Sequence, residues 1–292
     1  MFAFIKKIAL LSLWCNIPVA TNPLPVVVPL VVPVVVPVVV MHGVESSKEK
    51  MIPFCDWLSD TFQVKVFNLE IGNGEKTSLY TPLPRQLAEL CETIYDIEEL
   101  KNGFHFIGMS QGGLLARGYV ERCNIYPVVN LITLVSPHGG EFLKNNQINM
   151  YSDFIQEHLS VAGYWRDPLQ LETYLTRCVY LPLLNNELET EDSTKQREQL
   201  KLLDNFVMIW SPNDQVLSPA ASGKFSFLAP NLHVIPLEET DLYKKDLLGL
   251  KYLNEQNKLH QYETNCSHVD HRNPGCYSQL HTILRPYIGK LS

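Results

Sequence analysis

Short apolar runs that stop at a turn recur along this chain, and stretches of helical spacing separate them. VVVM (Val38–Met41) runs into His42 and Gly43. VKVFNLEIG (64–72), GFHFIGMS (103–110), VVNLITLVSP (128–137) and NFVMIWSPND (205–214) repeat the design, and LHVIPL (232–237) and KLHQYET (258–264) read as further strands. Between them, TPLPRQLAELCETIYDI (81–97) carries Leu83, Leu87, Leu90 and Ile94 at the spacing of one helix face. QGGLLARGYVERC (111–123) and CYSQLHTILRPYI (276–288) also read as helices. A strand that is apolar at successive positions, not alternate ones, is buried on both sides. The chain therefore predicts an α/β fold with a mostly parallel sheet flanked by helices.

The segment from about 141 to 204 breaks this rhythm. It has no clean strand, is rich in helix formers and carries Tyr164, Trp165, Leu169, Tyr174, Leu175, Tyr180 and Leu181. A helical insertion of this kind is either a lid over a site or a layer that completes the core.

The chain has 292 residues, enough for one large domain, and a formal net charge of −7. Nucleic-acid binding needs clustered positive charge to neutralise phosphates. The basic residues here are scattered, so no nucleic-acid partner is expected. Lys6 and Lys7, an apolar run from Ile8 to Cys15 and then Ala20 make residues 1–20 read as a secretory signal peptide. The segment 21–37 is low in complexity, with proline at 25, 29, 33 and 37. Each proline removes a backbone donor that a membrane helix needs, so this segment reads as extended chain and the folded domain as 38–292. No other stretch is long enough to span a bilayer, and no stable membrane span is expected. Six cysteines follow the leader: Cys55, Cys91, Cys123, Cys178, Cys266 and Cys276. An even set behind a signal peptide points to disulfides in the secretory pathway, a lysosome or outside the cell. Residue types and spacing leave their pairing open.

Gly108-Met109-Ser110-Gln111-Gly112 fits G-x-S-x-G. The pattern alone is weak, but here it closes a strand and opens a helix. That turn lifts the serine hydroxyl over the strand ends, at the positive end of a helix. A serine hydroxyl needs a base, and the base needs an orienting carboxylate, in the order Ser, Asp or Glu, His. Asp214 follows the strand FVMIW, and His268 sits in TNCSHVDH before the last helix. Ser110, Asp214 and His268 are thus the candidate catalytic residues. The backbone amides of Val44, after the first strand, and Gln111 are the candidate oxyanion donors. His42 reads as structural. His271, His281, Asp241 and Asp246 are weaker candidates. Cys266, His268, His271 and Cys276 match no common zinc spacing, so neither metal nor cofactor is expected. Asn265 begins an N-C-S sequon three residues before His268; a glycan there would crowd the site, so it is expected to be absent or turned away.

GMSQGGLLARGYVERC resembles the nucleophile segment of the palmitoyl-protein thioesterase family, lysosomal serine hydrolases that cleave fatty acyl thioesters. HGVESS, FNLEIG, YWRDP (164–168) and LYKKDLLGLKYL (242–253) are similar to other family segments in the same order. The resemblance runs from about residue 38 to the end. It implies an α/β-hydrolase fold with a helical insertion and catalysis by Ser110, Asp214 and His268, with the Val44 and Gln111 amides as oxyanion hole. It also implies a Cys91–Cys123 disulfide and hydrolysis of long-chain fatty acyl thioesters through an acyl-enzyme. Trp165, Tyr174 and Leu175 of the insertion are expected to line the acyl groove. Whether the leaving thiol belongs to a protein or to coenzyme A stays open, as does the oligomeric state. The motif and residue order also admit a lipase or carboxylesterase acting on oxygen esters, or a non-catalytic secreted binding protein of the same fold.

Overall fold

The computed structural model describes residues 35–288. The expected leader at 1–20 and nearly all of the 21–37 segment lie outside the described residues. The strands are β1 (Val38–Met41), β2 (Val66–Leu69), β3 (Phe104–Met109), β4 (Val128–Leu134), β5 (Asn205–Trp210), β6 (Phe227–Leu228), β7 (Val234–Ile235) and β8 (Leu259–Glu263). Six of them form one sheet in the order β2-β1-β3-β4-β5-β8, with every neighbouring pair parallel. The LHVIPL run differs from its reading as one more strand of that series. Only Val234 and Ile235 pair, antiparallel to β6, in a separate two-stranded ladder. Pro236 follows at once, and a proline has no amide to extend the ladder.

Helix α1 (Lys48–Phe62) connects β1 to β2, and α2 (Glu75–Tyr80) and α3 (Leu83–Tyr95) lead to β3. Helix α4 (Gln111–Gly118) leaves β3 and widens into a π-helical turn at Tyr119–Cys123. Helices α5 (Asp153–His158), α6 (Leu171–Arg177), α7 (Leu181–Leu184) and α8 (Ser193–Lys201) lie between β4 and β5. Helices α9 (Asp241–Lys244) and α10 (Leu250–Glu255) precede β8, and α11 (Pro274–Ile288) follows it.

Successive strand residues point to opposite sides of the sheet, and both sides are covered. Val39, Met41, Phe104, Phe106, Phe206 and Met208 pack on one side with Leu87, Leu90 and Ile94 of α3. Val38, Val40, Ile107, Val207 and Ile209 pack on the other, against Phe54 and Leu58 of α1 and Leu280 and Leu284 of α11. The continuous apolar runs of the sequence are the consequence of this double burial. This is the α/β-hydrolase architecture, with strand β3, a sharp turn and helix α4 at its centre.

Within 141–204, Tyr164, Trp165, Tyr174, Tyr180 and Leu181 are buried in the same cluster as Phe106 and Leu114. The insertion is therefore a helical layer that completes the core on one side of the sheet. Each such side chain contributes about 1.5–3 kcal/mol by leaving water. Leu169 alone of the group stays mostly exposed, at 61%.

Candidate active site

Ser110 follows the last residue of β3 and immediately precedes α4, with φ 54° and ψ −128°. A side chain at positive φ is strained, and the turn is held by its surroundings. The Ser110 amide donates to Leu134 O (2.8 Å), and the Gly113 amide donates to Ser110 O (2.9 Å). A Cβ at Gly108 would lie 2.5 Å from Gly112 O, and one at Gly112 would lie 2.4 Å from the carbonyl oxygens of Met41 and His42. The two glycines of the motif are thus required by close backbone approach. The Gln111 side chain turns inward, donating from Nε2 to Ser78 O at 2.8 Å. This anchors the first residue of α4 while leaving its backbone amide at the turn.

Asp214 sits in the loop after β5. Its Oδ1 accepts the amides of Val216 (2.8 Å) and Leu217 (2.9 Å), and its Oδ2 accepts His268 Nδ1 at 2.7 Å. Burial works to raise the Asp214 pKa. The hydrogen bond and charge of His268 and the two loop amides outweigh it, so the carboxyl ends below its usual value. An ionised Asp214 fixes the tautomer with the proton on Nδ1 and turns Nε2 away from the carboxylate. His268 precedes a short 3₁₀ turn, Val269–Arg272. A disulfide from Cys266 to Cys276 in α11 closes the loop that carries it.

Ser110 and His268 line one cavity of about 230 Å³ together with Gly43, Val44, Glu45, Ser46, Met109, Val216, Val269 and Arg272. No Ser110–His268 hydrogen bond is formed among the described residues. Such contacts commonly tighten only when substrate is bound. The Val44 and Gln111 amides, the expected oxyanion donors, both belong to residues beside Ser110, and neither donates to a protein group among the described residues.

The competing residues are occupied elsewhere. His42 is buried, and its Nδ1 bonds the Gly43 carbonyl (2.8 Å). Both ring nitrogens of His271 are engaged, Nε2 with Thr264 Oγ1 (2.8 Å) and Nδ1 with Ser267 O (2.9 Å), so it cannot act as a base. His281 is exposed and stacks on Phe62 at 5.7 Å. Asp241 pairs with Lys245 (2.9 Å) and Asp246 Oδ1 accepts the Lys251 amide (2.9 Å), both away from His268. Asn265 is exposed and tied to Gln279 (2.6 Å), and it does not line the cavity.

Three features escaped the sequence reading. The first is Glu141, whose Oε1 and Oε2 accept the Ser218 amide (3.0 and 3.2 Å) and so brace the Asp214 loop. Burial, assisted by repulsion from Asp214 and opposed by the Ser218 bond, pushes its pKa up to about 8. The second is the Cys266–Cys276 pair, which spacing could not single out. The third is Arg272 on the cavity wall. The expected acyl-groove residues are also corrected. Tyr174 is fully buried and bonds Glu187 (2.6 Å), and Trp165 and Leu175 line other cavities. The apolar wall beside Ser110 consists of Met109, Val216 and Val269. Cys91 is joined to Cys123. Cys55 and Cys178 are free and lie in clusters on opposite sides of the sheet, so the even count does not mean full pairing.

A family profile described as palmitoyl protein thioesterase matches residues 37–268. Palmitoyl-protein thioesterase 3 of Dictyostelium discoideum is 38% identical over 246 residues, covering 80% of this chain and 84% of its own length. The lysosomal thioesterase PPT2 homolog of Drosophila melanogaster is 31% identical, covering 75% and 81%. Among solved structures, the esterase RhEst1 from Rhodococcus sp. ECU1013 aligns with 88% of this chain and 91% of its own at 15% identity and a TM-score of 0.49.

Proposed function

This chain belongs to the palmitoyl protein thioesterase family, and from that membership we propose that Ser110, His268 and Asp214 carry its thioester hydrolysis. The observation that supports this most is the 2.7 Å Asp214–His268 bond beside a serine held at positive φ in the same cavity. Ser110 Oγ attacks the thioester carbonyl as His268 Nε2 takes its proton. Asp214 holds the imidazolium, and the Val44 and Gln111 amides receive the oxyanion. Collapse expels the thiol, which takes the proton from His268. Water, activated by the same imidazole, then releases the fatty acid and restores Ser110.

The substrates are acyl thioesters, and we read them as long-chain ones carried on a protein or on coenzyme A. A cavity of about 230 Å³ is smaller than the roughly 300–1,000 Å³ of sites that enclose a drug-sized ligand. It holds the reacting centre, and the acyl chain continues along the apolar side of Met109, Val216 and Val269. The location we infer is the lysosome or elsewhere in the secretory pathway. Relatives named lysosomal thioesterases and two disulfides support it. Among the described residues no helix is long and apolar enough to cross a membrane.

The test is kcat/KM for thioesters of increasing chain length beside the matching oxygen esters. The thioester series should rise by up to about fourfold per added methylene, from about 0.8 kcal/mol of burial each, until the groove is filled. Oxygen esters cleaved as fast as thioesters would sink the thioesterase reading. Rates peaking at short chains would sink the long-chain one.

A further inference from the structure

The cavity at Ser110 is lined by both apolar and polar side chains. Val44, Met109, Val216 and Val269 are apolar, and Glu45, Ser46 and Arg272 are polar, the last two joined by a hydrogen bond. Arg272 is half-buried there, at the end of the 3₁₀ turn that begins just after His268. Its guanidinium has five N–H donors. It uses Nη1 to bond Ser46 Oγ (2.8 Å) and forms no ion pair among the described residues. Asp270 in the same turn accepts Ser267 Oγ (2.6 Å) and Asn273 Nδ2 (3.2 Å), and Glu70 accepts the Lys48 amide (2.9 Å). Glu45 stands exposed at the rim, where water and salt screen it more than they screen a half-buried cation. Ser46 also adjoins Ser47, the N-cap of the fifteen-residue α1, whose side chain makes no capping bond.

A cationic fork with no carboxylate partner among the described residues, beside a reacting centre, matches an anionic group of the substrate. An acyl chain gains nothing from a guanidinium, which leaves Arg272 to the leaving-thiol half of the substrate. Resting on the thioester reading above, we propose that Arg272 is a specificity-determining residue that binds a phosphate on the leaving-thiol half of the substrate, as in coenzyme A.

The experiment compares kcat/KM for one acyl chain carried on coenzyme A and on N-acetylcysteamine, which presents the thioester without phosphate. Full-length protein is used as wild type, Arg272→Met, Arg272→Lys and Ser46→Ala. Arg272→Met lowers the coenzyme A to N-acetylcysteamine ratio by about tenfold or more, as expected for loss of a charge-assisted hydrogen bond. Arg272→Lys lowers it less. Ser46→Ala, which removes the hydroxyl and keeps the cation, holds the ratio within about twofold of wild type, since the charge that meets the phosphate stays in place. An unchanged ratio in Arg272→Met, whatever the absolute rates, overturns the phosphate contact. So does a Ser46→Ala ratio as low as that of Arg272→Met, which would mean that Arg272 acts through the loop. A stronger Arg272 dependence for the same acyl group on an acidic peptide thiol also overturns it, in favour of a carboxylate. Failure of the wild type to cleave either thioester overturns the thioesterase reading itself, and so differs from all three.

Discussion

At the scale of single residues, the triad proposed above asks unequal things of its three side chains. Ser110 is small and its backbone is held by neighbours, so Ser110→Ala should leave the melting temperature within a few degrees while activity falls by at least about 10³-fold. Turnover near wild type would remove Ser110 from its role. Asp214 has a subtler one, because its carboxylate both orients His268 and accepts two loop amides. In Asp214→Asn one side-chain oxygen remains, so the NH2 faces either His268 Nδ1 or the loop amides and cannot accept from them. We expect kcat to fall by about 10⁴-fold, as when a triad histidine loses its tautomer. A loss confined to KM would count against that account. Ser110 and Asp214 stood out as candidates because the one follows an apolar strand directly and the other lies in the loop just past one. His268 was legible by its order in the chain. That His271 is unsuitable was not, since only the fold brings Thr264 and Ser267 onto its two nitrogens.

At the scale of elements, α4 is tied to the insertion by a buried charge network. Arg117 and Glu121 pair at 3.1 Å with both side chains fully buried, and Arg117 also donates to Leu184 O (3.2 Å) and Asn185 Oδ1 (2.7 Å). Glu121→Ala would leave an uncompensated buried cation, costing about 3–5 kcal/mol. Chemical denaturation should show that loss; one under 1 kcal/mol would mean that water reaches the site. The Cys91–Cys123 bond ties α3 to the end of the turn that follows α4. Its separation of 32 residues predicts a loss of about 3–4 kcal/mol on Cys91→Ser with Cys123→Ser, and an unchanged denaturation midpoint would contradict it. Helix α3 was plain from its apolar spacing. Helix α1 was not, because Pro53 lies inside it and a proline reads as a helix end. Packing of Met51, Phe54 and Leu58 against the sheet offsets the missing hydrogen bond.

At the scale of the whole molecule, buried titratable groups set a pH profile of stability. Burial lowers the pKa of His42, His105 (to about 4), His138, His260 and His271. Below the ordinary histidine value near 6.5, the unfolded chain binds protons at these sites that the folded chain does not, at His105 down to about pH 4. Stability therefore rises with pH across that window. Burial raises Glu121 to about 7 and Glu141 to about 8, so the folded chain holds protons that the unfolded one has lost above about pH 4.5, and stability falls as pH rises to about 8. Five histidines outnumber two glutamates below pH 6.5, and only the glutamates act above it. Thermal melts should peak near pH 6.5, with the steeper decline on the acid side. A maximum near pH 4.5 would show that the histidines titrate in the native state.

Local sequence alone marked the strands, the helix after β3 and the serine turn between them, because continuous apolar runs and helical spacing are read residue by residue; the parallel pairing they imply joins residues as distant as Val38 and His105. It also marked 141–204 as helical and distinct. Only the tertiary structure decided what that segment buries. Tyr174 and Trp165 have the same composition whether they face a groove or a core, and the packing of distant strands chooses between them. The same holds for the cysteines. Cys266 and Cys276 meet because β8, the His268 loop and α11 fold back on one another, whereas Cys55 and Cys178 are kept apart by the thickness of the sheet. Arg272 reaches the site for the same reason: its partner Ser46 lies 226 residues away in the chain, a separation that no local pattern records.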